Sequence, residues 1–410
     1  MGIQITLTIV FVGVLIFAAH LFAEFFRSNK VPDVLLLIII GLIVGPLLGI
    51  VDQGYFGQIG AVFANITLVI ILFEGGTSLR FDVLRTAIKG TASLTTVNFV
   101  ISSILIGIVT LVIFDFDPIR AFMLGAFLGG TASAIVIPMV GQLNLQSGSR
   151  TILILESAVS DVLCVVVGLT FFEALKLGSI NFGTMLGSII AGFSFSTVIG
   201  VLGGFGWSFL LNKARNLQNS IFTTPAFVFI VYGIAELLGF SGAIAALMFG
   251  ITLANIDIVP KPMLQRYTRF VPHTLNETER VFFSEVVFLF KTFFFVYIGI
   301  SIVLTDYFSI AVGAILTLLV FTFRIPIVKI SVRPSIPIND RVIMAVMVPK
   351  GLAAAVLASL PAQAGIPGGE LIQNITYSTV LISIVFNSVL IMLNNRFEGF
   401  GKAYAFFLKP

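Results

Sequence analysis

The chain has 410 residues, of which 58% are hydrophobic and only 10% are charged. A soluble domain carries about 25% charged residues, so this composition excludes a soluble protein and indicates a chain that lies largely within a lipid bilayer. The formal net charge of +4 does not indicate nucleic-acid binding, because in a membrane protein the side on which the charges lie matters more than their sum.

Thirteen hydrophobic segments follow one another along the chain. Their long apolar runs predict membrane-spanning helices rather than a β-barrel, whose strands are shorter and alternate in polarity. We therefore predict an all-α polytopic membrane protein with about 13 transmembrane helices. The segments, numbered 1 to 13, are residues 3–23, 33–50, 58–76, 90–114, 119–141, 150–172, 181–211, 219–238, 240–256, 280–303, 308–330, 339–361 and 371–394.

Lys and Arg residues are distributed unequally between the two sides that these segments define. With the N-terminus outside, 18 of the 23 Lys and Arg residues fall on the inner side, 2 on the outer side and 3 within segments. Cytoplasmic connections carry an excess of Lys and Arg. We therefore predict a multi-pass protein of the cell membrane with the N-terminus outside, the C-terminus cytoplasmic and a short cytoplasmic tail over residues 395–410.

Thirteen segments accommodate two six-helix halves and one linking helix, as in transporters built from inverted repeats. The fifth segment of each half is rich in Gly, small residues and Pro, in GGTASAIVIP (129–138) and VPKGLAAAVLASLP (348–361). Such residues weaken a helix, and interruptions at corresponding positions point to a binding site. Close packing of small residues would explain either stretch alone, but the pairing favours broken, crossing helices 5 and 12.

Segment 6 carries two carboxylates, Glu156 and Asp161, in an otherwise apolar stretch. A carboxylate near the middle of a span costs about 2.5–3.5 kcal/mol on insertion scales, so each needs a partner charge, a bound cation or a proton. Five residues apart, they point in directions about 140° apart on a helix. Ser157 lies on the same face as Asp161, and Ser160 is its neighbour. A neutral acid that is hydrogen-bonded within the bundle is the alternative for each carboxylate.

Arg324, deep in segment 11, is the natural counter-ion. Arg does not lose its charge in proteins, so it needs a carboxylate or the carbonyls of a helix C-terminus. Two acids and one buried Arg leave one carboxylate that can hold either a cation or a proton, which is the minimal requirement for antiport. Snorkelling of Arg324 is disfavoured because Lys329 and Arg333 already lie at the inner interface.

Two further charged residues lie at informative positions. Lys350, within segment 12, is expected to neutralise helix dipole ends at the interruption. Glu74, near the inner end of segment 3, could line a cytoplasmic access path, or it could cap a helix or pair locally.

Several motifs occur in an order that resembles the sodium(potassium)/proton exchanger family, over about residues 30–390. They are VPDVLLLIIIGLIVGPLLG, LFEGGTSLRFDVL, LESAVSDVLCVVVG, FFFVYIGISI, FRIP and PKGLAAAVLA. In this superfamily the helix 6 pattern Glu-Ser-x-x-Asn-Asp marks an electroneutral, NhaP-like branch, and Asp-Asp marks an electrogenic, NhaA-like branch. This chain has Ser160 where Asn or Asp would stand, and its SAIV stretch (133–136) resembles the Kef-type potassium/proton branch.

The resemblance implies a site and an ion pair. Asp161 is similar to the carboxylate that exchanges cation for proton. Glu156 and Arg324 resemble the family's buried ion pair. Further site residues that the resemblance implies are Ser157, Ser160, Glu156, and a hydroxyl or carbonyl of Thr131 or Ser133.

The resemblance also implies an NhaA-like fold. A mobile core domain (90–172 and 308–394) would move against a dimerisation or scaffold domain (1–89 and 181–303) in a homodimer. The expected activity is exchange of Na⁺, K⁺ or Li⁺ for H⁺ by alternating access. With Ser160 uncharged and Glu156 held by Arg324, one carboxylate turns over, which predicts 1:1 electroneutral exchange. No cofactor, enzymatic activity or nucleic-acid partner is expected.

Other functions remain as alternatives. A Kef-type K⁺/H⁺ antiporter or K⁺ efflux system with a separate cytoplasmic regulatory subunit is one, and a proton-coupled organic anion symporter is another. A channel needs a continuous polar path, whereas here the polar residues cluster in one layer. An intramembrane aspartyl protease needs two aspartates within spans, and only Asp161 is central.

Overall fold

A computed structural model describes residues 2–29, 32–51, 57–114, 116–177, 182–215, 220–258 and 274–408. These residues form α-helices, short 3₁₀ and π turns and connecting loops, with no β-strand among them. Seven helical stretches in the described part of the chain are long and apolar enough to cross a membrane, and shorter apolar helices accompany them. The prediction of an all-α, multi-pass membrane protein is therefore confirmed.

The described residues contain sixteen α-helices, which we number α1 to α16 in chain order. Their bounds are Gly2–Asn29, Asp33–Leu42, Gly57–Ser78, Phe81–Phe114, Pro118–Leu128, Ser133–Gln142, Ser147–Leu177, Phe182–Ala214, Thr223–Leu237, Gly242–Asn255, Glu277–Ser301, Tyr307–Ser331, Ile338–Val346, Leu352–Gln363, Gly369–Arg396 and Glu398–Leu408.

Each predicted segment overlaps one α-helix, except that segments 5 and 12 each overlap two consecutive helices. The count of thirteen membrane spans and the inverted repeat stay predictions. The tail after residue 395 holds one helix, α16, which was not predicted. Its Leu408 is fully buried, and the helix packs against α13.

Both interrupted segments are broken over fewer residues than the sequence indicates. The non-helical stretches are residues 129–132 and 347–351, whereas Pro138 lies inside α6 and Pro361 inside α14. A Pro removes one backbone N–H from the helix. Leaving the helix altogether would expose more unpaired backbone groups in lipid, where no water can satisfy them. The two prolines therefore do not end their helices.

Another irregularity, at the end of α2, was not predicted. The helix continues as a π turn over Ile43–Leu47, with Pro46 inside it. This stretch approaches α11 closely, since a Cβ on Gly45 would lie 2.8 Å from Ile300 Cα and one on Gly299 would lie 2.8 Å from Gly41 Cα. Small residues permit such close helix contact in membranes, where packing rather than the hydrophobic effect drives association.

The chain divides into two compact units. Unit 1 comprises Met1–Ala61, Thr131–Ile154 and Phe288–Pro410, and unit 2 comprises Val62–Gly130 and Leu155–Val287. These boundaries follow compactness and differ from the predicted functional division into core and scaffold, which stays a prediction.

Within unit 2, helices α3, α8, α9 and α10 enclose a core of large apolar side chains. Phe73 and Phe249 lie with ring centroids 5.6 Å apart, and the Trp207 indole N–H donates to Thr224 Oγ1 at 3.0 Å. A buried indole N–H needs such a partner. Within unit 1, α15 packs against both α12 and α14, and this packing positions the second interruption.

Candidate functional site

Four of the predicted site residues lie on α7, which contains a candidate membrane span. Glu156, Ser157 and Ser160 are buried, with 1%, 0% and 0% of their surface exposed. Asp161 is half-buried. The helix places Ser157 and Asp161 on one face, because residues four apart are neighbours on a helix surface. The structure thus confirms that these polar side chains share one helix inside the protein.

The Ser160 hydroxyl is committed to its own helix. Its Oγ donates to the Ser157 carbonyl at 3.1 Å, which is the local bonding that buried serines use to satisfy their proton within a helix. The oxygen of Ser160 keeps its lone pairs. A hydroxyl whose proton is held in this way can present oxygen to a cation beside Asp161.

The first interruption packs directly against this part of α7. The Gly130 N–H donates to Cys164 Sγ at 3.1 Å. A Cβ on Gly130 would lie 2.6 Å from Cys164 Sγ and 2.9 Å from the Ser160 carbonyl oxygen. Only glycine lets the interrupted backbone come so close to α7. The interruption therefore contacts the residue that precedes Asp161.

Gly129, the preceding residue, packs against α4 in the same way. A Cβ there would lie 3.0 Å from the Phe99 ring and still closer to Ser103 Oγ. Unit 2 thus holds Gly129 and Gly130 between α4 and α7. The two other predicted residues of this stretch are buried Thr131 and half-buried Ser133, both in unit 1.

The two interruptions meet within unit 1. The Ala132 N–H donates to the Pro349 carbonyl at 2.8 Å, and a Cβ on Gly351 would collide with Ala132 Cβ. On the other side, the Lys350 N–H donates to Ser383 Oγ of α15 at 2.9 Å. Backbone groups that the helices release are thus satisfied by the other interruption and by a buried hydroxyl, as a membrane interior requires.

Both interruptions are held by the same kind of hydrogen bond. Each donates one backbone N–H to a side chain on the long helix that follows, 34 residues later for Gly130 and Cys164 and 33 residues later for Lys350 and Ser383. That the two interruptions belong to related halves of opposite topology stays a prediction.

Arg324 is fully buried in α12. Its Nε donates to the Met344 carbonyl at 3.0 Å, in the last turn of α13. The C-terminal carbonyls of a helix carry partial negative charge, so this bond is one of the two kinds of partner that the sequence predicts for Arg324. Its pairing with Glu156 stays a prediction.

Lys350 lies in the second interruption, four residues after the end of α13, and only 2% of its surface is exposed. That Lys350 compensates the helix dipoles at this interruption stays a prediction. Glu74 lines a cavity of about 210 Å³ in unit 2, together with Phe73, Thr77, Arg280 and others. That this cavity belongs to a cytoplasmic access path stays a prediction.

The sequence reasoning missed the residues that hold the interruptions in place. Cys164 and Ser383 each accept a backbone N–H from more than thirty residues away. One signal was present in the sequence, namely a small polar side chain at nearly the same distance after each Gly-rich interruption. Among the described residues, no group of three His, Cys, Asp or Glu side chains could hold a metal ion.

The described part of the chain is thus an all-helical, multi-pass membrane protein with two interrupted segments. The structure of the sodium proton antiporter MjNhaP1 from Methanocaldococcus jannaschii at pH 8 has this fold, with a TM-score of 0.75, 21% identity and coverage of 97% of this chain and 100% of that one. The family described as "Sodium/hydrogen exchanger, transmembrane" matches residues 8–392. The chain belongs to this family.

Several named relatives are similar along most of the chain. The K⁺/H⁺ antiporter NhaP2 of Shewanella baltica is 25% identical over 365 residues, which cover 87% of this chain and 60% of the relative. The K⁺/H⁺ antiporter NhaP of Alkalimonas amylolytica is 26% identical over 400 residues, covering 93% and 65%. A probable Na⁺/H⁺ antiporter of Methanocaldococcus jannaschii is 24% identical over 383 residues, covering 87% and 85%. The alignment therefore spans about 60% of the Shewanella relative's length.

Proposed function

We propose that the chain is a secondary antiporter that exchanges a monovalent cation for H⁺ across the cell membrane, with cation and proton competing for the Asp161 carboxylate. The observation that carries the proposal is the setting of Asp161. It is a half-buried carboxylate on a candidate span, it follows a buried serine, and the first interruption packs against that serine's carbonyl.

The oxygen chemistry around Asp161 suits this exchange. Carboxylate, hydroxyl and carbonyl oxygens are the ligands that hard cations prefer. When no cation is bound, a carboxylate in a low-dielectric environment favours a proton. The proposed ligands besides Asp161 are Ser157, Ser160, Glu156, and a hydroxyl or carbonyl of Thr131 or Ser133.

We propose 1:1 exchange without net charge movement. Ser160 is uncharged, and Glu156 is assigned to a permanent pair with Arg324, so Asp161 is the group that turns over. One Na⁺, K⁺ or Li⁺ then replaces one proton on each cycle. The Met344 carbonyl bond of Arg324 supports a fixed role for this guanidinium, since a permanently charged group that is already anchored does not need to move during transport.

The proposed motion is alternating access in a homodimer. A core formed by residues 90–172 and 308–394 would move against residues 1–89 and 181–303, with the N-terminus outside and the C-terminus cytoplasmic. The distribution of Lys and Arg supports this orientation. Of the basic residues that it uses, Lys30, Lys261, Arg266, Arg269 and Lys409 lie outside the described residues.

The names of the relatives favour Na⁺ or K⁺ as the transported cation. Those in Shewanella and Alkalimonas are named K⁺/H⁺ antiporters, and one in Methanocaldococcus is named a probable Na⁺/H⁺ antiporter. Neutral oxygen ligands such as Ser160 discriminate between the two ions by number and spacing rather than by charge. We therefore expect both ions to be transported, with different apparent affinities.

The test is exchange in proteoliposomes that contain a pH-sensitive dye, with Na⁺, K⁺ and Li⁺ added in turn across a range of pH. The wild type should move protons in response to a cation, and Asp161→Asn should lose at least about a hundredfold of this activity. Asp306→Asn is the matched control, because Asp306 lies just before the candidate span that it caps and Asn is an equally good cap. It should exchange normally.

Three outcomes would contradict the proposal. Normal exchange by Asp161→Asn would remove Asp161 from the mechanism. A rate that follows a clamped membrane potential would exclude 1:1 exchange. Proton flux that depends on an organic anion rather than a cation would indicate a symporter.

A further inference from the structure

We propose that the side-chain carbonyl oxygens of Asn387 and Gln142 form a second station for the monovalent cation, on the side of the interruptions where α6 and α15 end. The inference rests on the proposed antiport function, and it adds a cation contact that is separate from Asp161.

Asn387 is a fully buried amide in α15. Its Nδ2 contacts Met139 Sδ of α6 at 3.4 Å, and a thioether is only a weak acceptor. Among the residues that the structure describes, the Oδ1 of Asn387 has no hydrogen-bond partner. Buried polar groups are almost always paired, so an exception needs an explanation. The chain thus carries the cost of an unpaired buried carbonyl at this position.

Gln142 offers a second carbonyl of the same kind. It follows Met139 by three residues on α6, so the two side chains share a face of that helix. The Gln142 Oε1 is inaccessible to solvent and has no partner in the described part of the chain. One uncommitted amide oxygen thus lies at the Asn387–Met139 contact, and a second lies about one turn further along the same face of α6.

The position of this station along α15 is measured from the second interruption. The bond from the Lys350 N–H to Ser383 Oγ fixes the level of the interruption on α15. Asn387 lies four residues, or about 6 Å, closer to the C-terminal end of that helix. α6 ends three residues after Met139, at Gln142, and α15 ends nine residues after Asn387, at Arg396. The station thus lies between the interruptions and the face on which α16 begins.

The chemistry of the station differs from that of Asp161. Amide carbonyls replace part of a cation's hydration shell without taking up a proton. Because they are neutral, they bind weakly, which allows an ion to enter and to leave. We therefore expect this station to lower the cost of dehydrating the cation on one side only. The competition between cation and proton would take place at Asp161.

The test compares the two faces of the membrane. Asn387→Leu and Gln142→Leu should each raise the apparent KM for the cation about fivefold when the cation is supplied on the α16 face. The KM measured from the opposite face should stay within twofold. Thr376→Val is the matched control, since Thr376 is equally buried in α15 and its hydroxyl is already bonded to the Ile372 carbonyl.

Orientation in the vesicles is read from Lys402→Cys, which places an exposed thiol on α16, while the native Cys164 is buried. Asn387→Asp provides a second variant that retains oxygen at this position, and it should lower the KM on the α16 face. Both leucine variants should unfold at the wild-type temperature or above it, because they remove an unpaired buried group.

An effect of equal size on both faces, an effect on the opposite face alone, or no effect on either face would overturn the inference. A KM change in Thr376→Val as large as that in Asn387→Leu would also overturn it. If the wild type itself fails to exchange cations for protons, the proposed function fails. If the wild type exchanges and the KM of Asn387→Leu is unchanged on the α16 face, only this inference fails.

Discussion

In the first interruption the Gly130 N–H is bonded to a thiol, Cys164 Sγ at 3.1 Å, whereas in the second the Lys350 N–H is bonded to a hydroxyl, Ser383 Oγ at 2.9 Å. Sulfur is a weak acceptor, and oxygen is a strong one. The weaker bond lies on α7, three residues after Asp161. The stronger bond is made by the backbone of Lys350 itself and lies on α15.

This difference in hydrogen-bond strength suits the two interruptions to different roles. Under the proposed mechanism, a weakly held break next to Asp161 can adjust when the cation is replaced by a proton. A firmly held break keeps the crossing point fixed. We infer that the first interruption is the more adaptable of the two, and the following substitutions test that comparison in order of expected effect.

The largest effect is expected at Arg324, which anchors the helix that leads into the second interruption. Arg324→Ala leaves the Met344 carbonyl without its guanidinium partner and, under the proposed pairing, leaves Glu156 buried without a counter-ion. Breaking a buried pair from one side costs about 3–5 kcal/mol. Thermal unfolding in detergent should show a large loss of stability, while Lys329→Ala, at an exposed position in the same helix, should be close to neutral. An unchanged unfolding temperature for Arg324→Ala would show that this anchor is not needed.

A smaller effect is expected from filling the space at Gly130. The added methyl of Gly130→Ala would press on the Ser160 carbonyl and on Cys164 Sγ, and overpacking costs about 1–3 kcal/mol. Because the strain falls beside Asp161, exchange should fall more steeply than stability. Gly148→Ala, where a Cβ meets nothing within 4 Å, is the control for exchange and unfolding. If Gly130→Ala exchanges as well as Gly148→Ala, the close contact with α7 is not required for transport.

Removing the two acceptors compares the interruptions directly. Ser383→Ala leaves the buried Lys350 N–H unpaired, which costs about 1–3 kcal/mol. Cys164→Ala should lower the free energy of unfolding by less, because the N–H···S bond that it removes is weaker. Ser196→Ala makes the same chemical change at a fully buried hydroxyl without a partner among the described residues, and it should be neutral or slightly stabilising. Equal losses for Ser383→Ala and Cys164→Ala would break the comparison.

The smallest effect calibrates these values against an ordinary helix cap. The Asp306 carboxylate accepts the Ser309 N–H at 3.0 Å at the start of α12, and replacing such a cap by Ala costs about 1 kcal/mol. The neighbouring Ser309 hydroxyl and the Ser309 backbone N–H lower the pKa of the Asp306 carboxyl. The stabilisation should therefore be complete above the ordinary pKa, about 3.9, and should disappear as the pH falls through the lower folded value. Unfolding of Asp306→Ala and wild type at pH 7 and at pH 3 should show the gap closing in acid; a gap of equal size at both values would contradict this.

Much of the architecture could be predicted from the sequence because hydrophobic length and Gly-rich stretches act locally. The predicted segments coincide with helices, and both interruptions fall where Gly129 and Gly351 indicate weakness. Pro138 and Pro361 were wrongly included in the interruptions. The free-energy cost of a Pro inside a membrane helix depends on whether lipid or protein surrounds the carbonyl that loses its N–H partner. A local sequence pattern does not show what surrounds that carbonyl.

The bonds that hold the site were beyond sequence reasoning for a different reason. That Cys164 accepts a backbone N–H, and that Asn387 contacts Met139, depends on which helices pack side by side. α16 was missed because EGFGKAYAFFL is short and contains two glycines, which weaken a helix. Its buried Leu408 and its packing against α13 stabilise it instead.

Cys164 also provides an intrinsic probe of how often the first interruption opens. It is the single cysteine of the chain, and its thiol is buried against the first interruption. A small membrane-permeant thiol reagent can reach it only when that contact opens, so the rate of labelling counts opening events without any engineered residue. Labelling followed with cation present, with cation absent and at different pH values would show whether cation or proton binding changes how often this contact opens.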